Sequence, residues 1–186
     1  MRLAIFCGSS LGNNEGFRES TELLGQYLAE QGVDIVYGGG NVGLMGCIAN
    51  SVLAAGGQVI GVIPDHLKQK EIAHLGLSEL HVVADMHERK AKMMALADGF
   101  VALPGGVGTL EEMFEVWTWG QLGLHNKPCA FYNVKAFYDP LFSMVASMQE
   151  AGFVKSVYLD MLIRESTPEA LLKAIKAYQA PASKWS

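Results

Sequence analysis

One stretch decides the fold: Gly99-Phe100-Val101-Ala102-Leu103-Pro104-Gly105-Gly106-Val107-Gly108-Thr109-Leu110-Glu111-Glu112. Its first five residues are apolar or small and predict a short buried strand, and the proline and glycines that follow predict a turn. The residues from Leu110 onwards carry helical periodicity as far as Leu122. The stretch is therefore a strand, a glycine-rich loop and a helix in direct succession, the repeating unit of an α/β sheet.

The same succession recurs along the chain. Strands are predicted at Leu3–Cys7, Asp34–Tyr37, Gln58–Ile63, Glu79–Val83, Gly99–Leu103 and Cys129–Asn133. Helices are predicted at Glu15–Gln31, Leu44–Ala55, His87–Ala97, Leu110–Leu122, Tyr138–Glu150 and Pro168–Tyr178. The alternation indicates an α/β fold of Rossmann-like type, a doubly wound parallel sheet with helices on both faces. We expect a single domain over residues 1–180, followed by a flexible C-terminal tail at 181–186.

The composition excludes several classes of function. The chain has 186 residues with 14 Lys and Arg against 19 Asp and Glu, a net charge of −5. This charge disfavours a broad basic face for nucleic acid or an anionic membrane, and no apolar stretch approaches the roughly 20 residues of a membrane-spanning helix. The three cysteines are widely spaced and the five histidines form no ligand pattern, so we expect a reducing cytoplasm and no metal.

Glycine-rich loops follow three of the predicted strands, where an open α/β sheet binds its ligands. They are Gly8-Ser9-Ser10, the run from Gly38 to Gly46 and the run from Pro104 to Thr109. Gly38, Gly40 and Gly43 spell G-x-G-x-x-G, but Asp65 comes late for the acidic residue that a dinucleotide site requires. Two phosphate-binding glycine loops favour a nucleoside monophosphate instead.

Two groups of charged residues admit both a structural and a functional interpretation. Thr109 and Glu112 have capping-box spacing, yet Glu112 would also lie beside a bound phosphate. Asp85 and Glu88 form a second such box, which places Arg89 and Lys90 where the helix dipole disfavours cations. An anionic ligand would relieve that cost, although an exposed, solvated pair would also be ordinary.

The residues from Pro104 to Glu112 match P-G-G-x-G-T-x-x-E, the signature of the LOG ("lonely guy") family of cytokinin-activating nucleoside 5′-monophosphate phosphoribohydrolases. The chain also resembles this family in four other segments: Gly38–Gly46, Val62–Pro64, Ala84–Lys90 and Thr118–Gly123. The resemblance implies hydrolysis of the N-glycosidic bond of an adenosine 5′-monophosphate, in many members N6-prenylated, to free base and ribose 5-phosphate. It implies no cofactor, no nucleic-acid or membrane partner and a homodimer, with the Leu110–Leu122 helix as the expected interface. Nothing in the sequence indicates a pyridoxal-phosphate lysine, so lysine decarboxylation is not expected.

The resemblance also implies which residues form the site. The catalytic residues of the family correspond to Arg89 and Glu112. Ligand contacts carried over from the family are Glu71, Arg89, Lys90, Pro104, Gly105, Gly106, Val107, Gly108, Thr109, Leu110 and Thr118. From the glycine loops we add Ser9, Gly39, Gly40 and Gly43 as substrate-binding residues.

Two other functions remain open at this point. A molybdenum-cofactor carrier would use the same fold and loops to bind an anionic cofactor without catalysis, but it has no need of Glu112. An NAD(P)-dependent oxidoreductase would use the G-x-G-x-x-G pattern, but it leaves the second glycine loop unexplained.

Overall fold

The computed structural model describes residues 1–68 and 73–182. Within them, seven strands form one parallel sheet: β1 Arg2–Phe6, β2 Asp34–Tyr37, β3 Val59–Pro64, β4 Glu79–Val83, β5 Gly99–Ala102, β6 Cys129–Tyr132 and β7 Leu162–Glu165. The helices are α1 Glu15–Glu30, α2 Gly43–Ala54, α3 Met86–Leu96, α4 Val107–Gln121, α5 Asp139–Glu150, the single turn α6 Ser156–Leu159 and α7 Pro168–Ala177. None of these helices combines the length and apolar character needed to cross a membrane.

The strand order is β4-β3-β2-β1-β5-β6-β7. The chain builds outward from β1 to β4 and then returns to the other side of β1, where Leu3 lies opposite Gly99 and Phe6 opposite Ala102. This order confirms the predicted Rossmann-like fold. It puts the reversal of strand order between β1 and β5, and ligands bind outside the carboxyl ends of the strands at such a point.

The five inner strands of the sheet are buried on both faces, whereas the edge strands β4 and β7 are partly exposed. Alternate residues of β1 enter different cores: Leu3 and Ile5 pack with α1, α2 and α7, while Ala4 and Phe6 pack with the α3, α4 and α5 side. Both sets are apolar because both faces are covered. This double burial explains why the strands show no alternation of apolar and polar residues.

The structure departs from the sequence-based expectation in three places. The edge strand β7 and the short helix α6 were not predicted, and α4 begins at Val107, three residues before the predicted Leu110. Helix α4 starts early because Gly106, and not Thr109, is its N-cap residue. Glu71 and residues 183–186 of the predicted tail lie outside the described part of the chain.

Candidate active site

A cavity of about 350 Å³ opens at the junction between β1 and β5. This volume lies at the lower end of the range of about 300–1,000 Å³ that is typical of small-molecule sites. The cavity is lined by Cys7, Gly8, Ser9, Met45, Met86, Arg89, Gly106, Val107, Gly108, Thr109, Glu111 and Glu112. Both predicted catalytic residues, Arg89 and Glu112, thus share one cavity with the glycine loop that precedes α4.

The loops after β1 and β5 are packed directly on each other. The backbone N–H of Gly8 donates to the carbonyl of Pro104 at 3.1 Å. A Cβ atom on Gly105 would overlap Oγ1 of Thr109 and would lie 2.9 Å from the backbone N of Gly8. Gly105 is therefore required by space, and it lets the two loops form a single floor for the cavity.

Of the glycines after β2, Gly43 packs directly against the loop after β1. Gly43 has a φ of +51°, and a Cβ atom there would overlap the backbone of Ser9 and Ser10. Gly39 has a φ of +79°, and Gly40 forms an isolated β-bridge with Ala73. Among the residues described, none of these three glycines lines the cavity, whereas Ser9 does. Their contact with a ligand stays a prediction.

The N-terminus of α4 faces the cavity. Its N-cap, Gly106, provides no side-chain hydrogen bond, in contrast to Asn14, Asp85 and Thr167, which cap α1, α3 and α7. The first N–H groups of a helix have no partner within it and carry the positive end of its dipole, so they attract anions. The predicted capping box of Thr109 with Glu112 is wrong, because Thr109 lies inside the helix. That leaves the start of α4 suited to a phosphate.

Glu112 stands about one helical turn beyond Gly108, four residues on and a rise of about 6 Å along the axis. Side chains of a helix lean towards its N-terminus, which brings the Glu112 carboxylate to the cavity that it lines. Burial raises the pKa of the Cys7 thiol strongly, and the charge of Glu112 raises it further. Cys7 therefore lies in the cavity as a neutral thiol within the electrostatic reach of Glu112.

Arg89 comes from the first turns of α3. The backbone N–H of Glu88 donates to the Asp85 carboxylate at 2.9 Å, and the Glu88 carboxylate accepts from the N–H of Ala84 at 2.8 Å. The side chain of Asp85 thus caps α3 as predicted, with Glu88 bonding back to the residue before the cap. Arg89 is only 6% exposed, and its Nη1 lies 3.8 Å from Sδ of Met86. A nearly buried guanidinium at a cavity wall contradicts the alternative of a solvated, exposed arginine.

Lys90 behaves differently from its neighbour. It does not line the cavity, and its ammonium group donates to the carboxylates of Glu111 and Glu115 on α4. The anionic partner that the sequence indicated for Lys90 is thus supplied by the chain itself. Its contact with a substrate stays a prediction.

The remaining predicted contacts lie around the cavity. Pro104 and Gly105 line a second, more apolar cavity of about 240 Å³ together with Phe17 and Phe137, and Gly106 borders both cavities. Leu110 packs against the core, and Thr118 is exposed, with its hydroxyl bonded to the carbonyl of Phe114. Trp117 is buried, and its Nε1 donates to the carbonyl of Tyr158, so it is a core residue.

Five lining residues were not predicted as site residues: Cys7, Gly8, Met45, Met86 and Glu111. Cys7 was accessible to sequence reasoning, because it follows the first strand directly. The two methionines carry no chemical signal of their own. The described residues contain no cluster of three His, Cys, Asp or Glu side chains suited to a metal ion.

Comparison with known proteins defines the family of the chain. Residues 45–175 match the family model described as "Possible lysine decarboxylase". A relative from Oryza sativa subsp. japonica, the probable cytokinin riboside 5′-monophosphate phosphoribohydrolase LOGL1, is 43% identical over 99% of this chain and 85% of its own length. The Arabidopsis thaliana enzyme LOG1 is 43% identical over 95% of this chain and 83% of its own length. The chain belongs to the LOG family.

Solved structures extend the LOG fold to more distant proteins. The molybdenum cofactor binding protein of Rippkaea orientalis superposes with a TM-score of 0.70 at 20% identity, covering 95% of both chains. The molybdenum cofactor carrier protein of Chlamydomonas reinhardtii superposes with a TM-score of 0.71 at 18% identity, covering 94% of this chain and 95% of its own. These likenesses show a shared fold and carry no statement about activity.

Proposed function

We propose that the chain is a nucleoside 5′-monophosphate phosphoribohydrolase that cleaves the N-glycosidic bond of adenosine 5′-monophosphate, including its N6-prenylated forms, to free base and ribose 5-phosphate. The supporting observation is the single cavity that holds Arg89, Glu112 and the uncapped N-terminus of α4. The names of the relatives at 43% identity support the same substrate class and a hydrolytic reaction.

We propose a role for each part of the cavity. The phosphate is bound by the N–H groups at the start of α4 and by the glycine loops, which supply binding energy remote from the reacting bond. We place the Glu112 carboxylate near the anomeric carbon, because Glu112 lines the same cavity as the start of α4. The base then extends towards Met86, Val107 and Arg89.

Glu112 has two uses in the reaction. Cleavage of a glycosidic bond develops positive charge on the sugar, which a nearby carboxylate stabilises. The same carboxylate takes a proton from the attacking water as that water bonds to the anomeric carbon. Arg89 provides the positive charge of the site, and it either binds the substrate phosphate or assists departure of the base.

The test is release of free base from AMP, GMP, CMP and isopentenyladenosine monophosphate, measured by chromatography. Wild-type protein is expected to release base from the adenine nucleotides, and Glu112→Gln to lose at least about 100-fold in kcat, the lower range for a general base. Glu150→Gln is the matched control: it makes the same change at an exposed glutamate of α5 that does not line the cavity, and it should leave kcat unchanged. Normal turnover by Glu112→Gln would refute the assignment.

Base release, together with ligand binding, separates the proposal from the two alternative functions. A molybdenum-cofactor carrier would release no base from any nucleotide and would bind a pterin tightly. An NAD(P)-dependent enzyme would bind NAD(P) in competition with the monophosphate.

We also propose that the protein is a cytoplasmic homodimer that uses no cofactor. The support for the dimer is the exposed apolar surface just after the C-terminal end of α4, where Leu122 is 38% and Leu124 65% exposed. Analytical ultracentrifugation of the wild type and of Leu124→Glu tests this interface, since a dimer that uses it is expected to dissociate in the variant.

A further inference from the structure

Gly38, the first residue after β2, lies against the guanidinium group of Arg89. A Cβ atom on Gly38 would overlap Nη2 of Arg89 and would lie 3.0 Å from its Cζ. The same atom would lie 2.7 Å from Cε of Met45. The two residues are far apart in sequence, and none of the roles so far assigned to the glycine loops accounts for this contact.

The backbone does not require glycine at this position. Gly39 and Gly43 have positive φ values of 79° and 51°, but Gly38 is not among the glycines with positive φ. An alanine could therefore adopt its backbone conformation without strain. The remaining reason for glycine at this position is space, because the guanidinium of Arg89 fills the volume that a Cβ atom would occupy.

We infer that Gly38 is a positioning residue that holds the guanidinium of Arg89 in place at the cavity wall. Cε of Met45 borders this space, and Sδ of Met86 lies 3.8 Å from Nη1 of Arg89. Both methionines also line the cavity. The guanidinium is thus confined by the bare Cα of Gly38 and by two methionines. The catalytic consequence rests on the proposed function, whereas the packing relationship does not.

A methyl group at position 38 is expected to move the guanidinium and to leave the fold intact. The atoms it would meet first belong to the ends of flexible side chains, Arg89 and Met45, and not to the backbone. The Arg89 side chain can adopt another rotamer without a shift of the backbone. Gly38→Ala is therefore a test of position and not of folding.

The first experiment is a double-mutant cycle of Gly38→Ala with Arg89→Ala, read as base release from AMP. Gly38→Ala is expected to lower kcat by about 100-fold, the effect of misplacing a catalytic group by about 1 Å. In the Arg89→Ala background it should have no further effect, because the group it displaces is gone. Gly38→Ala/Met45→Ala should remain impaired, since relief of the methionine contact does not relieve the arginine contact. Wild-type kcat in Gly38→Ala, or effects that multiply, would overturn the inference.

The second experiment needs no activity. Gly38→Ala is expected to lower Tm in the wild-type background, where the methyl group competes with the guanidinium. In the Arg89→Ala background the same substitution should raise Tm by about 1–4 °C, because alanine restricts the unfolded chain and the end of the Met45 side chain can move into the space that the guanidinium vacates. A Tm change of the same sign in both backgrounds would overturn the packing relationship. Absence of base release by the wild type would refute the proposed function. The Tm measurements would then still test whether Gly38 packs against the guanidinium of Arg89.

Discussion

Lys90 of α3 and Glu111 of α4 join the two helices that carry Arg89 and Glu112: the Lys90 Nζ lies 2.7 Å from Oε1 of Glu111. Glu115, one turn further along α4, contacts the same ammonium group at 3.1 Å. The Lys90 side chain is 12% exposed. Each proposed catalytic residue is thus the sequence neighbour of a residue in this ion-pair network, which bridges the two helices.

We expect Lys90→Met to lower kcat by about tenfold with little change in KM, since the variant leaves two carboxylates facing each other and shifts Glu112 relative to Arg89. Lys92→Met is the control, as it removes the same charge from the same helix. Steady-state kinetics with AMP provide the measurement. A rise in KM at constant kcat would instead indicate that Lys90 binds the substrate directly.

The ion pairs of Lys90 with Glu111 and Glu115 should persist from pH 6 to 9. Burial alone would lower the pKa of Lys90, but the hydrogen bonds to Glu111 and Glu115 outweigh it and raise that pKa above its usual value. A lysine with a raised folded-state pKa contributes its full stability below the unfolded pKa of about 10.4 and loses it only as pH rises through the higher folded value. The Tm difference between wild type and Lys90→Met is therefore expected to be constant from pH 6 to 9, and a difference that collapses within this range would contradict the geometry.

Adjacent glycines in the loop before α4 should respond differently to substitution. Gly105→Ala is expected to raise KM for AMP at least about tenfold, because its methyl group would displace Thr109 and separate the loops after β1 and β5. Gly106→Ala meets no atom within 4 Å and should have a much smaller effect. Equal effects in the two variants would show that loop packing does not determine nucleotide affinity.

Cys7 lines the cavity but is not expected to act as a nucleophile. Burial, reinforced by the charge of Glu112, raises its pKa, so the thiolate needed for attack is scarce at neutral pH. Cys7→Ser should lower kcat by less than about tenfold, a much smaller loss than the one expected for Glu112→Gln. Mass spectrometry of the wild type during turnover should detect no covalent ribosyl adduct, and a stable adduct on Cys7 would contradict this prediction.

His125 should make the protein less stable in mild acid. Its Nε2 donates to the carbonyl of Val116 at 2.7 Å and its Nδ1 accepts from the N–H of Lys127 at 3.1 Å, which requires the neutral ring. Burial lowers its pKa, and the charge of Lys127 acts in the same direction although the bond to Val116 opposes them. A histidine with a lowered folded-state pKa contributes stability above the unfolded pKa of about 6.5 and loses it as pH falls.

The measurement is Tm against pH for wild type, His125→Gln and the control His66→Gln, which changes an exposed histidine. Loss of one hydrogen bond is worth about 1 kcal/mol, or about 2–4 °C in a chain of this size. In His125→Gln the fall in Tm between pH 7 and pH 5 should be about 2–4 °C smaller than in the wild type. Identical slopes in all three proteins would refute the assignment.

Five of the seven strands could be predicted because buried parallel strands are nearly continuous apolar runs closed by glycine, proline or acidic residues. The edge strand β4 was also predicted, because Leu80, Val82 and Val83 favour a strand although Glu79 and His81 are polar. The seventh, β7, was missed because Leu162-Ile163-Arg164-Glu165 lies at the sheet edge and half of it is charged. The start of α4 was misplaced for a different reason. Thr109 and Glu112 fit a capping box on spacing, but the close approach of the β1 loop to Gly105 sets where the helix begins.

Arg89 and Glu112 could be located from the family motifs, and the structure brings them to one cavity. The roles of the glycines could not be predicted, because each depends on a residue distant in sequence: Gly43 on Ser9, Gly105 on Gly8 and Gly38 on Arg89. A G-x-G-x-x-G pattern is defined by residues close together in sequence, whereas the atoms that pack beside these glycines belong to residues distant in sequence.

The pairing of β1 with β5 has a consequence for folding. The two strands are neighbours in the sheet, yet Leu3 and its partner Gly99 lie almost a hundred residues apart along the chain. Contacts between such distant segments form slowly, since a long loop must close before they are gained. A nucleotide can be bound only once this pairing exists, so it stabilises the two halves of the sheet together and shifts the folding equilibrium of the whole chain by mass action.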